Sequence, residues 1–193
     1  MATVRQHGKH VEGKKYRKYY KNQDALEKTI GYICRETTET DEDLVEGLSG
    51  GYGIDMSSTK TVIEDMRLVK DVYGKKNGRQ LKHFSVNLTV EETVEIRDMR
   101  AFAYEIASYY GKDYQIIFQG HRGFENGREQ IHIHFCCNSV SYATGKMFVD
   151  KKGDLEEFKK FVNEKVEKYR SSAKQEFEIC SQDRKEKYSE ETL

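Results

Sequence analysis

The sequence predicts an α+β fold: a central antiparallel sheet of about four or five strands with helices packed on it. Three observations carry that expectation. Residues 130–140 alternate apolar and polar side chains at strand period, residues 113–121 read as a second strand, and the eight residues between them include Gly123 and Gly127, so a hairpin is the natural connection. Residues 89–110 instead carry apolar side chains at helical spacing. The order strand, helices, strand, long helix, hairpin, helix then favours an antiparallel sheet with segregated helices over a parallel one.

The elements follow in chain order. "ATVRQH" (2–7) reads as a short strand, and the basic, tyrosine-rich "GKKYRKYYKNQ" as a loop or helix lead-in. "DALEKTIGYICRE" places Leu26, Ile30 and Ile33 on one helical stripe behind Asp24, an N-cap residue type. "GLSGGYGID" reads as a glycine-rich loop, and "SSTKTVIEDMRLVKDVYG" as a helix with Val62, Met66 and Val69 on one side. "KKNG" is a turn before the strand "QLKHFSVNL". Thr89 followed by Glu92 forms a capping-box pattern. From there one long helix is expected to Tyr110, with Val94, Met99, Phe102, Ile106 and Tyr109 as its stripe. "DYQIIFQGH" and "IHIHFCCNSVS" are the hairpin strands, "RGFENGREQ" their turn-rich connection, and "GKMFV" a further short strand. Residues 154–187 read as a charged helix or helix pair on Leu155, Phe158, Phe161, Val162 and Val166. Residues 1–193 therefore read as a single domain, with about 154–193 as a C-terminal helical extension.

Composition narrows the function classes. Hydrophobic residues make up 36% and charged residues 34%, a balance typical of a soluble chain with solvated helices. No apolar run approaches the ~18 residues of a membrane span, and "MATVRQHGKH" lacks the apolar core of a secretory signal, so a cytoplasmic chain without membrane insertion is expected. Cys34, Cys136, Cys137 and Cys180 form no CxxC pair and read as reduced packing thiols. A net charge of zero argues against a generic nucleic-acid coat, yet residues 1–28 hold eight Lys or Arg against three acids, and residues 29–60 hold two against seven. A basic arm of this kind can attract phosphate locally; a solvated tail is the plainer alternative.

The chemistry sits in "EQIHIHFCCNSV". Ile131, Ile133, Phe135 and Cys137 share one side of that strand, and His132, His134, Cys136 and Asn138 the other. If His121 lies opposite His132, then Gln119 lies opposite His134, and three imidazoles converge across two strands. Three ligands with open positions suit a catalytic divalent cation better than a structural zinc, which takes four protein ligands. The competing reading is three surface histidines on an open sheet face. His7 and His10, three residues apart in the arm, read as exposed loop histidines.

These residues resemble the relaxases of plasmid mobilisation and conjugation, in the mobilisation-nuclease (MobA/VirD-like, MobP) branch of the HUH endonuclease superfamily. The superfamily is named for two histidines flanking a hydrophobic residue, here His132-Ile133-His134, and "NSVSYATGKMF" is similar to the stretch that follows. The resemblance implies the HUH-endonuclease fold and identifies His121, His132 and His134 as metal ligands. "LEKTIGYICRE" looks like the helix of the catalytic tyrosine, which assigns Tyr32, and "LVEGLSGGYGID" resembles the loop after it. "LKHFSVNLT" resembles the strand in which many members carry a catalytic histidine, here His83. One departure stands out. Related relaxases often place an Asp or Glu to orient a metal histidine, and residues 80–88 hold no such carboxylate.

The activity so implied is tyrosine attack on single-stranded DNA at a transfer origin, leaving a 5′-phosphotyrosine and a free 3′-OH. A phenol with a pKa near 10 is a weak nucleophile at neutral pH, so a divalent cation on neutral imidazoles would polarise the phosphate. Mg²⁺ or Mn²⁺ is the expected cofactor, and three imidazoles also bind Zn²⁺ or Ni²⁺ well. Tyr16, Tyr19 and Tyr20 in "YRKYY" compete for the nucleophile's role, with Tyr20 the leading rival. Otherwise Tyr19 and Tyr20 are expected to stack on bases while Lys14, Lys15, Arg17, Lys18 and Lys21 follow phosphates. Accessory mobilisation proteins and a conjugative coupling protein are the implied partners. A replication initiator of the same superfamily, or an inactive single-stranded DNA-binding module, remains an alternative. The chain reads as a minimal relaxase or an excised catalytic domain.

Overall fold

The computed structural model describes residues 2–7, 9, 10, 17, 18, 20–34 and 44–171. Its centre is a five-stranded sheet of β1 (Thr3–Gln6), β4 (Leu44–Tyr52), β5 (Leu81–Asn87), β6 (Tyr114–Glu125) and β7 (Arg128–Ser141). Their order is β1-β5-β7-β6-β4, every neighbouring pair antiparallel. A separate ribbon pairs β2 (Lys9–His10) with β3 (Arg17–Lys18). The readings for Lys14, Lys15, Tyr16, Tyr19, Cys180 and residues 172–193 lie outside the described residues.

Helices cover both faces. On one face α3 (Val90–Glu95), α4 (Met99–Gly111) and α5 (residues 154–171) close over Phe84, Phe118, Ile133 and Phe135, with Phe102, Ile106, Phe158, Val162 and Val166 from the helices. Phe84 stacks on Phe135 with ring centroids 4.9 Å apart, and Phe118 lies on the other side of Phe135 at 6.0 Å. On the opposite face α1 (Ala25–Cys34) and α2 (Thr59–Val72) pack Leu26, Ile30, Ile33, Val62 and Met66 onto Leu81, Ile117 and Cys136. This second core covers only part of its face, and the histidines lie beyond it, with His83, His121 and His134 buried and His132 partly exposed.

Local sequence explains most boundaries. Ser58 caps α2 by accepting from the Thr61 N–H at 3.0 Å, and Thr89 and Glu92 form the expected reciprocal capping box on α3. The long helix expected from Thr89 to Tyr110 is instead two. Ile96 turns extended and buries its side chain, and Asp98 then caps α4 through the Ala101 N–H at 2.8 Å. An aspartate competes for backbone donors better at a cap than inside a helix. Val94, expected on the apolar stripe, is exposed as a result.

Three further readings are corrected. The expected glycine-rich loop "GLSGGYGID" is largely edge strand β4. A Cβ on Gly50 would meet the Tyr104 hydroxyl at 2.5 Å, so glycine here marks close packing against α4 rather than a turn. The connection "RGFENGREQ" is almost all strand: the ladder continues to Glu125↔Arg128, closed by Asn126 and Gly127, both at positive φ (52° and 74°). That is the two-residue primed turn that matches strand twist. "GKMFV" contributes only an isolated bridge, Val140↔Met147.

Phe135 lies at the middle of the aromatic row and is fully buried. Phe135→Ala should cost about 3–5 kcal/mol of unfolding free energy in a urea titration. A loss below about 1 kcal/mol would show that this row does not carry the core.

Candidate metal and nucleophile site

The hairpin register brings the predicted histidines together. His121 pairs with His132, Gln119 with His134, and β5 adds Ser85 opposite His134 and Asn87 opposite His132. Side chains alternate along strands, so these all face away from the Phe84–Phe135–Phe118 row. The ring centroids of His121, His132 and His134 lie 4.5 to 5.7 Å apart, and one nitrogen from each falls within 4.8 Å of the others. Gly123 makes room for this arrangement, since a Cβ there would stand 3.0 Å from His132 Cε1.

A second set, His7, His83 and His134, meets the same distance test. The sequence reading placed His7 in an exposed loop. The structure places it half-buried at the end of β1, its ring stacked on His83 at 4.3 Å, with Nε2 3.0 Å from Ser85 Oγ. The strand alternation Thr3, Arg5, His7 was the available signal, but pairing with β5 was not legible. The two sets share His134 and differ in what their nitrogens already do. His83 Nε2 and His134 Nδ1 hydrogen-bond to each other at 3.0 Å, so the second set spends two nitrogens internally. In the first set, His121 Nε2 donates to the Ile33 carbonyl at 2.8 Å, which makes Nδ1 the acceptor nitrogen of the neutral ring, and His134 uses Nδ1 towards His83, which leaves Nε2 as the nitrogen on its other side. Metal-binding histidines characteristically fix their second nitrogen in this way. The donor set of His121, His132 and His134 therefore fits a divalent cation, with His83 bonded behind His134.

Burial favours the neutral form of His83, His134 and His7, the form that metal binding requires of a ligand. It lowers His83 from 6.5 to about 3, helped by neighbouring His7 and His121, and takes His134 far below its usual value, with the surrounding imidazoles adding to the effect. His7 is lowered too, chiefly by burial and then by Arg5.

Both candidate tyrosines border the histidines, in different settings. Tyr32 projects from α1 and is 45% exposed; its ring centroid lies 5.7 Å from His134, 6.1 Å from His121 and 6.4 Å from His83. Leu26, Ile30 and Ile33 bury the other side of the helix. Tyr20 is half-buried, with its hydroxyl 3.2 Å from His83 Nδ1, and its pKa is pushed up to about 12 by burial and then by Cys136 and Tyr32. The sequence reading had Tyr20 stacking on bases; nothing in "YRKYY" signalled a bond to His83. A cavity of about 430 Å³ opens beside these groups, lined by Tyr32, His7, His132 and His134 and continuing past Thr3, Arg5, Asn87 and Gln130. Lys21 is exposed, and Arg17 and Lys18 lie in the ribbon strand β3.

The buried neutral His83 has a pH signature. Between about 3 and 6.5 the unfolded chain binds a proton at His83 that the folded chain excludes, so stability falls as pH drops through that window. In chelator-treated protein His83→Gln should remove up to ~1.4 kcal/mol per pH unit from this slope, read from urea midpoints at several pH values. Equal slopes in the two proteins would show that the ring is not held neutral.

No described helix is long and apolar enough to cross a membrane. No curated protein matches the chain. The model of the family described as relaxase, MobA/VirD2-like, nuclease domain matches residues 32–171, a span that begins at Tyr32 and takes in the whole β5–β7 histidine face. The chain belongs to that relaxase family.

Proposed function

We propose that the chain is a metal-dependent, strand-specific nicking endonuclease that cuts single-stranded DNA at the transfer origin of a plasmid or mobile element. Its nucleophile is the Tyr32 hydroxyl. The observation that carries the reading is the placement of an exposed phenol within 6.4 Å, ring to ring, of His83, His121 and His134, on the wall of the cavity that His132 and His134 also line.

The Tyr32 oxygen attacks the phosphorus of the scissile phosphodiester. An O–P bond forms to tyrosine, the P–O3′ bond breaks, and the 3′ oxygen takes a proton from water to leave as a hydroxyl. A divalent cation held by His121, His132 and His134 would withdraw charge from the phosphate oxygens. His121 is oriented by the Ile33 carbonyl and His134 by His83, so the ligands and the nucleophile are positioned by one helix and one sheet. His83 acts through His134, because a ring held near pKa 3 is too weak a base for a phenol. The phenol proton leaves to water, which reaches the half-exposed Tyr32. Tyr20 is the weaker nucleophile, since its raised pKa reduces the phenolate fraction further and its hydroxyl is engaged with His83. The basic arm, with Lys14, Lys15, Arg17, Lys18 and Lys21, would follow the backbone of the same strand.

The test is a covalent-adduct assay with Mn²⁺ and a labelled single-stranded oligonucleotide carrying the transfer-origin sequence. Wild type and Tyr20→Phe should form the adduct, Tyr32→Phe none, and His134→Ala should lose about a hundredfold or more in rate. Adduct from Tyr32→Phe together with its loss in Tyr20→Phe would transfer the role to Tyr20.

A further inference from the structure

We propose that the outer half of the cavity is a base-reading subsite, in which Asn87 and Gln130 hydrogen-bond the edge of one base beside the cleaved phosphate while Arg5 holds the neighbouring backbone. The inference rests on the DNA-nicking reading above and assigns residues to sequence selection.

The sheet register puts these side chains in place. Thr3, Asn87, His132 and His121 form one row across four strands, and Arg5, Ser85, His134 and Gln119 form the next. Neighbouring strands are about 4.8 Å apart, so Asn87 lies one strand from His132, and Arg5 lies two strands, about 10 Å, from His134. Gln130 is two residues along β7 from His132 and therefore on the same face. A phosphate bound between Tyr32 and the histidines would thus have polar side chains waiting about one nucleotide away, on the side towards β1.

The chemistry of the lining suits a nucleotide. About 430 Å³ is within the range of small-ligand sites, and the described residues lining it include no carboxylate. Asn87 and Gln130 each carry a donor and an acceptor in one plane, the arrangement that pairs with base edges. Both are only partly buried, and the contact of Asn87 Nδ2 with Thr3 Oγ1 is long, at 3.5 Å, so the Asn87 amide re-aims at little cost. Arg5 is exposed and offers donors only, which suits a phosphate. None of these residues is needed to bind a cation or to attack phosphorus, so selection and chemistry are separable.

The test uses a pool of single-stranded oligonucleotides with a randomised internal stretch, incubated with wild type, Arg5→Ala, Asn87→Ala and Gln130→Ala in chelator, with the bound fraction sequenced. Melting temperatures within a few degrees of wild type confirm folding. Wild type should enrich one base at one position by about tenfold. Asn87→Ala and Gln130→Ala should flatten that position alone, and Arg5→Ala should weaken binding to every sequence and reduce the salt slope by about one. An unchanged base profile in the Asn87 and Gln130 variants overturns the subsite, as does a wild type with no preference at any position. If the profile responds as expected but wild type forms no covalent adduct in Mn²⁺, the nicking reading falls and the subsite stands as a nucleotide-binding site.

Discussion

Everything in this molecule depends on the register of β6 against β7. Along the hairpin, rows of side chains alternate between faces: Phe118 with Phe135, then Gln119 with His134, then Gly120 with Ile133, then His121 with His132. A slip of one residue would turn two imidazoles into the aromatic core and expose Ile133 and Phe135. The primed turn at Asn126 and Gly127 fixes the loop length, and the Phe84–Phe135–Phe118 row fixes the face. Hydrophobic burial on one side of the sheet therefore sets the geometry of the candidate ligands on the other, without any bond between the two.

A second dependence links the sheet to α1. Backbone carbonyls in the last turn of a helix lack intrahelical partners, and Ile33 lies in that turn. Its carbonyl accepts from His121, which both satisfies the helix end and orients a candidate metal ligand. Tyr32 is the preceding residue. Moving α1 would therefore displace the phenol and rotate His121 together. The apolar stripe of α1, packed on Ile117 and Cys136, holds this coupling in place. On the other flank His83 does for His134 what the Ile33 carbonyl does for His121, with Tyr20 behind it.

How much of this was legible in the sequence follows from the range of each interaction. The histidine face was readable because it depends on period-two alternation and a hairpin, both local in sequence. The capping box at Thr89 was local as well. His7 was not readable, because its place depends on β1 pairing with a strand about 80 residues away, and a four-residue strand carries little pattern of its own. The break at Ile96 was hidden because the apolar spacing continues across it; only the tertiary burial of Ile96 separates the two helices. In β4 the glycines signalled looseness, whereas Gly50 is demanded by Tyr104 and Gly51 by the Ile116 carbonyl pressing against the strand. The His83 role came from resemblance, and its hydrogen bond to His134 came only from the fold.

The face that carries the site changes character along its strands. Under α1 and α2 it is apolar, with Leu81, Ile117 and Cys136. Where the helices end it becomes imidazole, with His83, His134 and His121 still buried, and farther out it becomes partly exposed amide and guanidinium, with Asn87, Gln130 and Arg5. Each zone needs its own degree of solvent exclusion. Burial holds the His83 and His134 imidazoles neutral, which an open surface would not do. Partial exposure leaves the outer groups free to exchange water for a nucleotide, which full burial would prevent. A single sheet face only half covered by two short helices supplies both conditions within two strand spacings. Extending that cover would close the cavity, and removing it would let water protonate His83 and His134.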